Sequence, residues 1–178
     1  NAILSALVGQ INNVQIGKKQ EWEADNVGMD YAYAAGYNPG AGAALWQRVF
    51  EKKGEYQNNL VGEIFSPNDH PGHEERRDNY EKRLTAISKN HVTIKKGTDV
   101  VQINGKDFTT PAPLRDMSSS ERKYFLMGNL AAAYDHGEAA KPASNVDGTV
   151  YLGDQAIMTP VTGDESADEL VKKLNAIK

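Results

Sequence analysis

The spacing of apolar residues changes near Asn90, and this change limits the folds open to the chain. Before it, apolar residues recur at the three- and four-residue intervals of helices. After it, they alternate on both sides of Asn104-Gly105, a dipeptide typical of β-hairpins. We therefore predict an α+β fold, with a helical part over residues 1–90 followed by a small α+β module over residues 91–178.

Turn residues divide the first part into three helices. A long helix is expected from about Ile16 to Ala35, because Gly36-Tyr37-Asn38-Pro39 combines the glycine and proline that follow helix ends. Pro39 can open a second helix that continues to about Gly54. A charged surface helix is predicted from Pro71 to Ser88.

The second part contains a candidate internal repeat. Residues 101–111 align with residues 150–160, and both segments end in Thr-Pro. A helix opening at Ser118 follows the first segment, and a final helix capped by Asp164 or Ser166 follows the second. Two ββα units sharing one sheet would explain the pattern. The alternative is that any two short hairpins look alike.

Composition excludes several classes of function. The 178 residues carry a formal net charge of −4 with acidic and basic residues interspersed, so we expect no nucleic-acid partner. The absence of cysteine excludes disulfides, thiolate zinc sites and cysteine nucleophiles. No apolar run approaches the roughly 18 residues of a membrane-spanning helix, so no transmembrane segment is expected.

Two acidic residues share one face of the first helix. Glu21 and Asp25 lie four residues apart, and Gly28 and Ala32 continue the same face. Small residues there leave room for a neighbouring helix, and two histidines on that neighbour would complete a two-His, one-Glu zinc site. The alternative is a solvated acidic face on an amphipathic helix.

Three motifs, in order, resemble the HtpX/CAAX-protease-type zinc metallopeptidases, a gluzincin family. Residues 21–28 match the family's E-x-x-A-D-x-x-G helix, and Ala35-Gly36-Tyr37-Asn38-Pro39 with Ala43-Ala44-Leu45-Trp46 matches its A-G-Y-[DN]-P turn and next helix. His70-Pro71 with Arg76 matches H-P-x-x-x-x-R. The resemblance covers about residues 16–87 and implies the C-terminal part of a metallopeptidase domain.

The resemblance assigns a role to each matching residue. It makes Glu21 the third zinc ligand and Asp25 the acid that supports the metal-binding histidines. It makes His70 a catalytic group that helps to hold a substrate carbonyl, the oxyanion or, in some resting forms, the metal. It makes Arg76 a residue that orients that loop or a substrate carboxylate. The alternative for His70 is a turn residue capping the helix that starts at Pro71.

The family's H-E-x-x-H motif, which supplies two zinc ligands and the general base, does not occur in this sequence. Either the motif lies upstream of a chain that begins within a helix, or the protein is a degenerate relative. The resemblance thus implies a fragment of a zinc-dependent endopeptidase whose parent cleaves polypeptides. The fragment alone is expected to be inactive and to hold no stoichiometric zinc.

A non-catalytic function is the alternative. The chain would then be a scaffold or protein-binding module, with residues 91–178 as the surface for a protein partner. Many members of the resembled family act at membranes or in the bacterial cell envelope, which gives a weak preference for that location.

Overall fold

The computed structural model describes residues 2–52 and 72–178, apart from the side chains of residues 2–16, 18 and 73. The helices are α1 (Ala2–Ala34), α2 (Ala41–Glu51), α3 (His73–Ile87), α4 (Ser119–Asp135) and α5 (Ala167–Ile177), with a short 3-10 helix at Glu138–Ala140. The strands are β1 (Val92–Ile94), β2 (Val101–Ile103), β3 (Lys106–Thr109), β4 (Ala143–Val146), β5 (Thr149–Leu152) and β6 (Gln155–Met158).

The α+β class is confirmed, although the ends of the helices differ from the prediction. Helix α1 is longer than expected, since it begins at Ala2 rather than near Ile16. It ends before Gly36, whose φ of +83° turns the chain. Helix α2 starts at Ala41 and not at Pro39. The residues before it, 38–40, form a turn in which Asn38 bonds to helix α4.

The strands form two separate three-stranded antiparallel sheets, β1-β2-β3 and β4-β5-β6. The expectation of one shared sheet was therefore wrong. Each unit also has a strand ahead of the predicted hairpin, which makes it βββα rather than ββα. In the second unit this strand is Ala143–Val146, which pairs with β5 through the Asp147-Gly148 turn. Both turn residues have positive φ, 49° and 81°, as hairpin turns of this kind require.

The two units correspond in detail. Both have a register irregularity at the matching position of their second and third strands. Both lead into a helix with a complete capping box, made by Ser118 with Glu121 and by Ser166 with Glu169. Three fully buried side chains of the first hairpin have matching buried partners in the second: Val101 with Val150, Ile103 with Leu152, and Phe108 with Ile157. This correspondence supports a duplicated βββα unit.

Each helix of the duplicated region packs on strands from both units. Helix α4 contacts β1 and β2 of its own unit and β6 of the other, and α5 contacts β4, β5 and β3. Helix α4 also packs against α2 and α3, so it lies between the helical part and the second sheet. The buried apolar residues accordingly form one cluster that extends from Trp46 and Leu84 to Leu170 and Leu174.

Within the described ranges, none of the helices combines the length and the apolar character that crossing a bilayer would require.

Candidate functional site

Arg76 joins the two acidic residues of α1. Its Nε and Nη2 donate to the two carboxylate oxygens of Asp25 at 2.6 and 2.5 Å, and its Nη1 lies 3.0 Å from Glu21 Oε2. The side chains of Asp25 and Arg76 are 8% and 11% exposed, whereas Glu21 is 30% exposed. A bidentate pair at this depth holds Asp25 in a single orientation.

Two aromatic residues fix this cluster from the other helices. The guanidinium carbon of Arg76 lies 3.9 Å from the centre of the Trp46 ring on α2. Tyr80, one turn after Arg76 on α3, donates from its hydroxyl to the backbone carbonyl of Asp25 at 3.2 Å. Burial and the neighbouring Asp25 carboxylate raise the pKa of Tyr80 to about 12, so the hydroxyl stays protonated and keeps donating.

The structure therefore brings together three of the four predicted site residues: Glu21, Asp25 and Arg76. His70 lies outside the described residues. Arg76 was expected to orient a loop or a substrate carboxylate, and it contacts carboxylates of its own chain. The spacing of the sequence did not indicate this pairing, because Arg76 lies 51 residues after Asp25.

Glu21 lies at the border between the buried and the exposed faces of α1. The buried face includes Asp25 and Met29. The exposed face next to Glu21 carries several small or apolar residues: Ala24, Val27, Gly28 and Tyr31. A Cβ built on Gly28 would meet nothing within 4 Å. A second helix could therefore approach α1 closely on this side and reach the Glu21 carboxylate.

The cluster holds two carboxylates, and that of Glu21 is the more exposed of the two. Among the side chains that the structure describes, no group of three or more histidine, cysteine, aspartate or glutamate residues gathers. Glu21 suits one position of a zinc coordination shell, since it is partly exposed and held by Arg76 from one side. Further ligands would have to come from another segment.

The turn after α1 is docked on helix α4 of the second part. Asn38 donates from Nδ2 to Phe125 O at 2.9 Å and to Asn129 Oδ1 at 2.8 Å, while its Oδ1 accepts from Gly40 N at 2.8 Å. Gly128 makes this approach possible, because a Cβ there would lie 2.0 Å from Asn38 Oδ1. The asparagine of this turn thus contacts a surface outside the region of resemblance.

The sequence reasoning missed the role of this glycine. Gly128 interrupts an otherwise regular helical segment, and a glycine in a helix interior often marks a close approach of another backbone.

Comparison with protein-family models, with curated proteins and with solved structures finds no match to this chain.

Proposed function

We propose that this chain supplies the glutamate ligand and the supporting acid of a zinc-dependent metalloendopeptidase. The two histidine ligands and the general base would lie on a segment outside these 178 residues. The observation that supports the proposal best is the convergence of Glu21, Asp25 and Arg76, taken from two separate family-like motifs, at the border of an exposed helix face.

The chain's own residues would act by orientation. Arg76 holds both oxygens of Asp25, and each carboxylate oxygen keeps capacity to accept a further hydrogen bond from a ligand histidine. The same guanidinium holds Glu21 Oε2 toward the edge of the exposed face. Trp46, which lies against the guanidinium of Arg76, and Tyr80, which bonds to the backbone of Asp25, hold this arrangement in place.

A bound zinc ion would polarise the peptide carbonyl and activate the attacking water. Glu21 would be its protein ligand from this chain. The small residues Ala24 and Gly28 would let the histidine-bearing helix approach closely enough to share the ion.

The test compares two glutamates on α1 in a chain extended upstream through any H-E-x-x-H segment. Glu21→Gln is expected to lower bound zinc and peptide-cleavage rate by about 100-fold or more, because it removes a ligand. Glu23→Gln is the matched control, since Glu23 is exposed on the same helix. Zinc is measured by elemental analysis and cleavage with a quenched fluorescent peptide library. Full activity in the Glu21→Gln protein would refute the ligand assignment.

The 178-residue chain provides a second test. It is expected to purify without stoichiometric zinc and without proteolytic activity. One zinc per chain that disappears in Glu21→Ala would show that the chain binds the metal by itself.

A non-catalytic protein-binding or scaffold module is the second candidate. The duplicated βββα units favour it, because they lie outside the region that resembles the peptidases and carry none of its motifs. Absence of H-E-x-x-H from the upstream coding sequence would support this candidate over the peptidase.

A further inference from the structure

A cleft lies apart from the Glu21 cluster. It has a volume of about 700 Å³ and is lined by residues of α2, α3, the start of α4 and the loop between β1 and β2. This volume falls in the range of small-ligand and peptide sites, and the cleft lies where the two parts of the chain meet. Its described lining includes four cationic side chains, Arg77, Lys82, Lys96 and Lys123, and three carboxylates, Asp78, Glu81 and Asp99.

The three carboxylates are engaged within the protein. Asp99 accepts from Lys123 Nζ at 2.9 Å and from Ser120 Oγ at 2.8 Å. Although partial burial alone would raise its pKa, these bonds lower the pKa of Asp99 below 3.8. The other two also have partners, since Arg77 donates to Asp78 and the Tyr124 hydroxyl donates to Glu81.

Two of the four cationic side chains have no such partner among the described residues. Lys82 on α3 and Lys96 in the β1–β2 loop are exposed, and neither forms an ion pair or a hydrogen bond with a described residue. They lie on two different walls of the same cleft. Among the described lining residues the cations therefore outnumber the carboxylates by one, in a protein whose formal net charge is −4, and the two lysines at the rim carry no ion pair with another described residue.

An edge strand also borders the cleft, since Ile94 of β1 is one of its lining residues. β1 is an edge strand that pairs with β2 in antiparallel register, with Ile94 opposite Val101. The bonds Asn104 N to His91 O and Lys95 N to Val100 O show that odd-numbered residues bond to β2. Because bonding alternates along an antiparallel strand, the backbone N–H and C=O of Ile94 point away from β2, and Ile94 is one of the residues that line the cleft.

The neighbouring position on this edge is already satisfied. Val92 N donates to Ser88 Oγ of the same chain at 3.0 Å. Ile94 is thus the position of β1 at which an incoming extended chain could add backbone hydrogen bonds.

We propose that this cleft binds an extended acidic segment of a partner protein. The peptide backbone pairs with Ile94, and acidic side chains of the peptide pair with Lys82 and Lys96. The inference does not depend on the zinc proposal, because the described residues of that site, Glu21, Asp25 and Arg76, do not line the cleft. A nucleic-acid ligand fits less well, since the one aromatic ring among the described lining residues, Tyr124, is 1% exposed and offers no stacking surface.

The test uses the full chain and a fluorescein-labelled peptide of alternating Glu and Val residues, with binding followed by fluorescence anisotropy. The double variant Lys82→Gln/Lys96→Gln is expected to weaken binding about tenfold at low salt. The matched control Lys106→Gln/Lys172→Gln removes the same charge from exposed lysines outside the cleft and should bind as the wild type does. Thermal unfolding verifies that both variants are folded.

Two further probes test the backbone pairing and the class of ligand. N-methylation at alternate peptide bonds should weaken binding, because it removes the donors that Ile94 O requires. Equal binding of a Lys-Val peptide, equal loss in the two double variants, or equally effective competition by a single-stranded oligonucleotide would each overturn the proposal.

Discussion

The guanidinium carbon of Arg76 lies 3.9 Å from the centre of the Trp46 ring, while its nitrogen atoms bind Asp25 and Glu21. One arginine thus connects α1, α2 and α3 at a largely buried point. Because Asp25 is 8% exposed, its charge depends on this partner for stabilisation. The stability of the helical part should therefore be sensitive to Arg76.

Replacing Arg76 by Gln should lower the free energy of unfolding by about 3–5 kcal/mol, because it leaves a buried carboxylate unpaired. Arg76→Lys should recover little of this, since an ammonium cannot form the bidentate contact or lie over Trp46 in the same way. Urea unfolding followed by circular dichroism measures both effects. Lys172→Gln removes a positive charge from an exposed site and should stay within about 0.5 kcal/mol of wild type. An Arg76→Gln protein as stable as this control would contradict the structural role.

Gly128→Ala should destabilise the protein by about 1–3 kcal/mol or more, because the added Cβ would lie 2.5 Å from Gly40 N as well as against Asn38. Gly28→Ala is the matched control, since the same change occurs in a helix with open space around it. It should stabilise the chain by about 0.5–1 kcal/mol through helix propensity. Thermal and urea unfolding of the two variants would show opposite signs. The same sign in both would mean that the turn does not pack on α4 as described.

The two capping boxes should differ in strength. Ser118→Ala should cost about 1–2 kcal/mol and Ser166→Ala about 0.5–1 kcal/mol. The difference is expected because Glu121, the partner of Ser118, is 3% exposed and also binds Arg48 Nε at 2.5 Å, whereas the Ser166 box is exposed. Chemical denaturation of the two variants measures the order. A larger loss in Ser166→Ala would contradict it.

Asp164 should make stability depend on pH at the acidic end. Its carboxylate is 1% exposed and binds Arg122 Nη2 at 2.9 Å. Burial alone would raise its pKa, but Arg122 and the amides of Val161 and Ala112 lower the pKa below 3.8. A lowered folded-state pKa stabilises the protein above the unfolded value of 3.8, and this contribution is lost as pH falls through the folded-state pKa.

Asp164→Asn should therefore be less stable than wild type at neutral pH, and the difference should shrink as pH falls below about 4. Asp147→Asn, in an exposed hairpin turn, serves as the control and should leave the shape of the pH profile unchanged. Unfolding free energies between neutral pH and pH of about 2 measure the profile. A constant difference across that range would exclude Asp164 as the source.

Local sequence patterns predicted the elements whose cause is local. Asn104 and Gly105 have positive φ values of 52° and 74°, as the hairpin prediction requires. The i, i+4 spacing of Glu21 and Asp25 correctly placed both on one side of α1. Strand β4 was missed because Ala-Ser-Asn-Val has weak strand propensity and is held by pairing with β5.

Contacts between distant residues were not predictable from spacing. Asp164 was one of two candidate caps for the last helix, but Ser166 makes the capping box, and Asp164 binds Arg122 42 residues away. Arg76 was expected to act on a loop or a substrate, yet it pairs with acids on α1. The spacing of residues in the sequence indicates neither pairing, because each depends on how distant segments pack together.

The hydrogen bonds of Asn38 to α4 extend beyond the end of the region that resembles the peptidase family. The family resemblance ends near residue 87, but Asn38 relies on Phe125 O and Asn129, and Asn129 in turn donates to Ile157 O at 2.8 Å. A chain truncated after residue 90 would retain every matching motif and lose the groups that hold the turn. The segment that carries the motifs is thus shorter than the part of the chain that we expect to unfold cooperatively.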